Sequence, residues 1–147
     1  LLRNEGDGKF VDVSRISGAD DPGIGRGGVY FDFDNDGCLD LFIANSGQSA
    51  KLFRNACASG NSWLAVRPEG TISNRDAVGA RVTVVAGGRA QIREISSGAS
   101  FMGQNMLAAH FGLGKAETVD SVTVRWPSGK VQTLTDVAAN QRLMVVE

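Results

Sequence analysis

Nine residues constrain this chain more than any others. DFDNDGCLD, positions 32 to 40, sets Asp32, Asp34, Asp36 and Asp40 around Gly37. Carboxylates this close repel one another unless a positive charge sits between them. The spacing D-x-D-x-D-G-x-x-D is that of a chain wrapped round a hard cation. Ca²⁺ takes about 6–8 oxygen ligands in flexible geometry, and glycine permits the sharp turn between them. In this reading Asp32, Asp34 and Asp36 supply side-chain oxygens. Cys38 supplies its backbone carbonyl, and Asp40 completes the shell directly or through water. Mg²⁺ fits less well, because it keeps more waters and needs fewer carboxylates. The plainer alternative is a solvated turn that uses Asp and Asn for turn chemistry alone. The loop is not an EF-hand: its twelfth position is Ile43, where an EF-hand needs a bidentate Glu.

The flanks of the loop, GGVYF and LDLFIAN, read as strands, and so does most of the chain. Short β-rich segments recur as KFVDVS, KLFRNA, SWLAVRP, ARVTVVA, AQIREISS, LAAHFGL, VDSVTVRWP, KVQTLTD and RLMVVE. The breaks between them are turn formers, and 19 glycines against 3 prolines suit many tight turns. A helix is conceivable only at TDVAANQ, where a turn fits equally well. The fold class expected is all-β. A formal net charge of -1 gives no global reason to expect nucleic acid as a partner. No apolar run approaches the ~20 residues of a membrane span. The opening LLRNEGDGKF starts in mid-pattern and reads as a mature product or a piece of a longer chain.

One internal echo organises the chain. LLRN ends at Asn4 and LFRN ends at Asn55, with one acidic loop between them. A strand-rich period of ~40–50 residues is what a propeller blade gives. The echo stops after Asn61. A boundary near residues 57–62 is therefore expected, with a blade-like module over 1–60 and a separate β module over 61–147. Composition leaves the two cysteines open as a disulfide or as free thiols. A hairpin with Asn45 opposite Lys51 would bring Cys38 and Cys57 to nearly the same level of neighbouring strands, close enough for a bridge.

The string GRGGVYFDFDNDGCLDLFIAN followed by LFRN resembles the FG-GAP type repeat of integrin-like β-propellers. That resemblance implies a structural calcium loop joining two strands of a blade. Cys38 departs from the polar residue more common there, at a position where only the carbonyl is needed. The second part resembles the ASPIC/UnbV module through SNRDAVGARVTV, SSGASFMGQN, HFGLGKAETVDSVTVRWPSG and the closing VVE. Such a module follows FG-GAP repeats in secreted proteins of the cartilage acidic protein kind. The domain order here agrees.

Read from its residues, the C-terminal module is about seven short strands, a small β-sandwich or barrel-like unit. VTVRWPSGKVQTL is a hairpin turning at Pro127, Ser128 and Gly129, with Trp126 as a core anchor. Asn74, Arg75 and Asp76 suit a turn closed by an Asp–Arg pair, or a loop for an acidic or sugar ligand. SSGAS suits a bulge or tight connection. His110 has no nucleophile elbow and no triad spacing around it, so it reads as structural.

The function expected is a non-enzymatic, secreted or cell-surface calcium-binding scaffold or adhesion module. Its partners would be other protein chains or copies of itself at edge strands, or extracellular glycans, with no nucleic acid and no membrane span. One blade cannot close a propeller, which takes about four to eight. An alternative is therefore a self-assembling filament subunit that uses LLRNEGDGKF as a donor strand. A third account is an accessory domain of a secreted enzyme.

Overall fold

The computed structural model describes residues 1–98 and 100–147. Among these residues the fold is nearly all β, with four sheets and one short helix. The N-terminal residues form two of the sheets. β1 (Leu2–Gly6) and β2 (Lys9–Asp12) make a two-stranded hairpin. Its tight turn uses Asp7 at φ 49° and Gly8 at φ 74°. A four-residue helix, α1 (Ser14–Ser17), follows and stops at Gly18 with φ 76°. Its start is held by Asp12, whose Oδ1 accepts the Ser14 N–H at 2.9 Å. β3 (Gly25–Phe31), β4 (Asp40–Asn45) and β5 (Lys51–Phe53) form an antiparallel sheet in that order.

The β4–β5 register differs from the sequence expectation by two residues: Ile43, not Asn45, lies opposite Lys51. Asn45 is occupied elsewhere. It pairs with Gly25, and its side-chain amide donates to Asp21 Oδ2 at 2.8 Å and to the Ser49 carbonyl at 3.1 Å. The turn is therefore wider than SGQSA.

The remaining strands build two sheets. β6 (Ser62–Glu69) is central in one, between β12 (Gln141–Val146), which runs parallel to it, and β9 (Ala109–Gly114), which runs antiparallel. The β9 pairing ends at Val66, so Pro68 faces no ladder acceptor on that side. The second sheet runs β11 (Val131–Ala138), β10 (Thr118–Arg125), β7 (Arg81–Ala86) and β8 (Arg89–Glu94). β7 alternates as pattern reading requires, with Val82, Val84 and Ala86 inward. TDVAANQ is no helix: β11 runs through it to Ala138, and Asn140, at φ 59°, turns the chain into β12.

Leu64, Val66, Phe111, Leu113 and Val145 from one sheet meet Val82, Val84, Val119, Val122 and Val124 from the other. The two sheets thus share one core, in the manner of a sandwich. Trp126 joins it, 2 % exposed, with its indole N–H donating to Gln132 Oε1. The hairpin turn at 127–129 forms as expected, with Gly129 at φ 92° donating to the Trp126 carbonyl. Asp76 closes on Arg67 at 2.8 Å. The SSGAS reading falls partly on Ala99, outside the described residues. No described helix is long and apolar enough to cross a membrane.

Candidate metal centre

The acidic loop leaves β3 at Phe31 and enters β4 at Asp40, so two paired strands fix its ends. Within it Asn35 (φ 63°) and Gly37 (φ 91°) supply the left-handed turns. Oxygens of Asp32, Asp34 and Asp40 lie within 4.8 Å of one another, a spacing one cation can span. Asp36 lies beside this group, with its Oδ1 accepting the Cys38 N–H at 2.9 Å.

Each carboxylate has a distinct environment. Asp40 is 2 % exposed, and its two oxygens accept the N–H groups of Phe33 (3.0 Å) and Asn55 (2.8 Å). A carboxylate has about four acceptor sites, so capacity for an ion remains. Asp32 has a side chain only 4 % exposed. Its Oδ2 accepts from Gly37 N at 3.0 Å and from Arg142 at 2.6 Å. Its Oδ1 is buried and has no partner among the described residues. Burying an unpaired carboxylate oxygen is costly, and a bound cation would remove that cost. Asp34 and Asp36 face outward and share the guanidinium of Arg54, at 2.6 and 3.3 Å. The Arg54 hydrogen bond pulls the Asp34 carboxyl below its ordinary value, against a smaller opposing effect of desolvation. The donor set is all oxygen and strongly acidic, which suits Ca²⁺.

Cys38 and Cys57 are joined in a disulfide, with Cα atoms 5.9 Å apart, and no free cysteine remains. The bridge ties the loop to the segment after β5. That segment wraps the loop: Arg54 pairs with Asp34 and Asp36, and Asn55 donates its backbone N–H to Asp40 and its amide to the Leu39 carbonyl. The echo of LFRN in LLRN marks Arg54 and Asn55 as pattern residues, although it does not disclose their roles.

The loop also docks on the C-terminal module, through residues that sequence reading did not connect to it. A Cβ on Gly37 would lie 2.0 Å from the Trp63 ring, so only glycine fits there. Trp63 stacks on His110 with ring centroids 5.9 Å apart and planes 7° from parallel. His110 Nε2 lies 2.8 Å from the Gly37 carbonyl, which assigns that nitrogen as a donor. His110 is structural in this role. Arg142 reaches Asp32 from β12, 110 residues away in sequence. No local pattern signals such a pair.

Two family models match separate stretches of the chain. The family model described as ASPIC and UnbV matches residues 70–147. The model for the FG-GAP-like repeat matches residues 1–43, which include the acidic loop. Over 151 aligned residues the chain is 35% identical to cartilage acidic protein 1 of Homo sapiens, covering 100% of this chain and 22% of that protein. The Mus musculus protein of the same name is 34% identical, with 100% and 23% covered. That of Xenopus tropicalis is 35% identical over 136 residues, with 89% and 21% covered. The chain thus spans about a fifth of the length of these curated relatives. With its sandwich matched from residue 70 to residue 147 and an FG-GAP-like repeat before it, the chain belongs to the ASPIC and UnbV family.

Proposed function

We propose that this chain is a non-catalytic, calcium-binding scaffold or adhesion element of an extracellular protein. In this reading residues 1–60 are a blade-like module carrying the ion and residues 61–147 are the β module docked on it. The observation that carries the proposal is the buried, partnerless Oδ1 of Asp32 beside Asp34 and Asp40. Calcium would supply the positive charge that lets these carboxylates share one small volume. The chain's own residues do the rest. β3 and β4 fix the loop ends, Gly37 makes the turn, and Arg54 offsets surplus negative charge at the outer rim. The aspartates would be consumed by the ion, which leaves no free acid–base pair in the loop for catalysis. The disulfide supports an oxidising compartment.

Calorimetric titration of calcium tests the proposal. The expected result is a dissociation constant at or below about 10⁻³ M, within the range of extracellular calcium modules. Asp34→Ala, at an exposed loop position, should lose it. No heat of binding in the unmodified chain would overturn the reading.

A second reading rests on the β1–β2 hairpin. Every residue of its strands is exposed, with Leu2, Phe10 and Val11 bare to solvent beside Leu1. Such a surface suits coverage by further blades of a longer propeller, or by strand addition from a second copy. Residues 2–6 already pair with residues 9–12 of the same chain, so an added strand would join at a free edge. Deleting residues 1–10 should abolish any self-association seen by sedimentation and leave the C-terminal module folded. A compact monomer at high concentration in calcium would remove the self-assembly version.

A further inference from the structure

We propose that the cleft between the acidic loop and the C-terminal module is a binding site for a neutral saccharide. The cleft encloses about 450 Å³, bounded by Gly37–Leu39 on one side and by β6, β9 and the 105–108 segment on the other. That volume lies within the range of small-molecule sites, about 300–1,000 Å³.

The lining decides the ligand class. Tyr30 is 46% exposed, and Trp63 is partly exposed with its ring stacked on His110. Aromatic faces with polar tips suit the C–H faces of a pyranose. The same lining carries polar groups that bond to no described side chain: the Tyr30 hydroxyl, the Asn61 amide and the Asn105 Nδ2, with Asn105 Oδ1 accepting the Tyr30 N–H at 3.1 Å. Asn61 offers donors and an acceptor, and Asn105 its amide donors, as neighbouring sugar hydroxyls require. A purely apolar ligand would bury these groups unsatisfied and would not recover their lost hydration. An anion is also disfavoured. Among the described lining residues the arginine, Arg93, lies over the Phe111 ring and donates to the Ile92 carbonyl, and the carboxylate, Glu94, lies 3.9 Å from Arg81. The described lining thus carries one formal charge of each sign and no cluster of cations for an anion.

The site shares the Gly37–Leu39 wall with the acidic loop, but none of the side chains proposed to contact the sugar is a carboxylate of that loop. The test is saturation-transfer NMR and calorimetry with cellobiose, lactose, maltose and diacetylchitobiose, with inorganic phosphate for contrast. At least one disaccharide should bind. Tyr30→Ala and Asn61→Ala, both at exposed positions, should each weaken it about tenfold. Ile16→Ala, 82% exposed and outside the cleft lining, should leave it unchanged. Binding of no disaccharide, equal binding by both cleft variants, or binding of phosphate alone would overturn the proposal. Calcium affinity measured on the same samples separates the two readings. Saccharide binding without calcium binding sinks the calcium reading alone, and the reverse sinks only this one.

Discussion

The two halves of the molecule are held by different forces. Residues 64–145 contribute a continuous cluster of buried aliphatic side chains and two aromatic ones. Residues 1–60 bury one hydrophobic side chain, Val13, and the carboxylates of Asp32 and Asp40. Burial of apolar area stabilises the sandwich by about 25 cal/mol for each Å² removed from water. The β3–β5 sheet has little of that contribution. A disulfide, a web of carboxylate hydrogen bonds and docking on its neighbour stand in its place. Small units without enough core need such staples.

This contrast is sharpest where one side chain carries much of the core. Phe111→Ala removes a fully buried ring from the centre of the sandwich. It should destabilise the chain by about 3–5 kcal/mol in urea unfolding. A loss below about 1 kcal/mol would break the claim that burial holds this half. The disulfide gives the converse test. Its cysteines are 19 residues apart, which corresponds to about 3 kcal/mol in the chain-entropy model. Reduction, or Cys38→Ser with Cys57→Ser, should speed hydrogen exchange in β3 and β4 far more than in β7 and β10. Equal acceleration everywhere would show that the two halves unfold as one.

Arg142→Ala probes the seam between them. It leaves the buried Asp32 carboxylate with one fewer donor, an effect of about 1–3 kcal/mol. The loss should be larger in chelator than in calcium, because the ion would replace the missing charge. Chemical denaturation in both buffers measures the difference, and no dependence on calcium would detach Asp32 from the site.

The smallest effect expected is at Glu147. Desolvation pushes its carboxyl up, but hydrogen bonds from Ser128 and from Ser73 and Ile72 outweigh that and hold it at about 2. Its folded value is depressed, so its contribution to stability is full above the ordinary value of 4.5 and is lost as pH falls toward 2. Glu147→Gln should flatten that part of the stability profile while leaving the profile above pH 5 nearly unchanged. An unaltered slope below pH 4.5 would show that Glu147 does not titrate with folding.

What the sequence discloses divides along the same line. Asp32, Asp34, Asp36, Gly37 and Asp40 announce a loop because its geometry is local. Alternation in RVTVVA announces a half-buried strand for the same reason. Three features lay beyond that reach. The register at Lys51 moved because Asn45 bonds to Asp21, outside the hairpin. The helix at Ser14–Ser17 is a single turn, too short to show a period. Arg142, Trp63 and His110 join the loop only after the whole sandwich has formed, and no window of sequence contains them together with Asp32.

The parallel pairing of β6 with β12 has a temporal consequence. The sandwich's first strand finds one of its two neighbours only in its last, and Trp63 and Asn140, bonded across the seam, are 77 residues apart. A ribosome making about 5–20 residues per second must finish nearly the entire module before that sheet can close. During this interval β6, with Leu64 and Val66, waits beside an empty lane, and the Asp32 loop waits for Arg142. Contacts so remote in sequence form slowly. The newborn chain therefore passes through a stage in which its acidic loop is already synthesised and Arg142, its partner on the docking surface, is not.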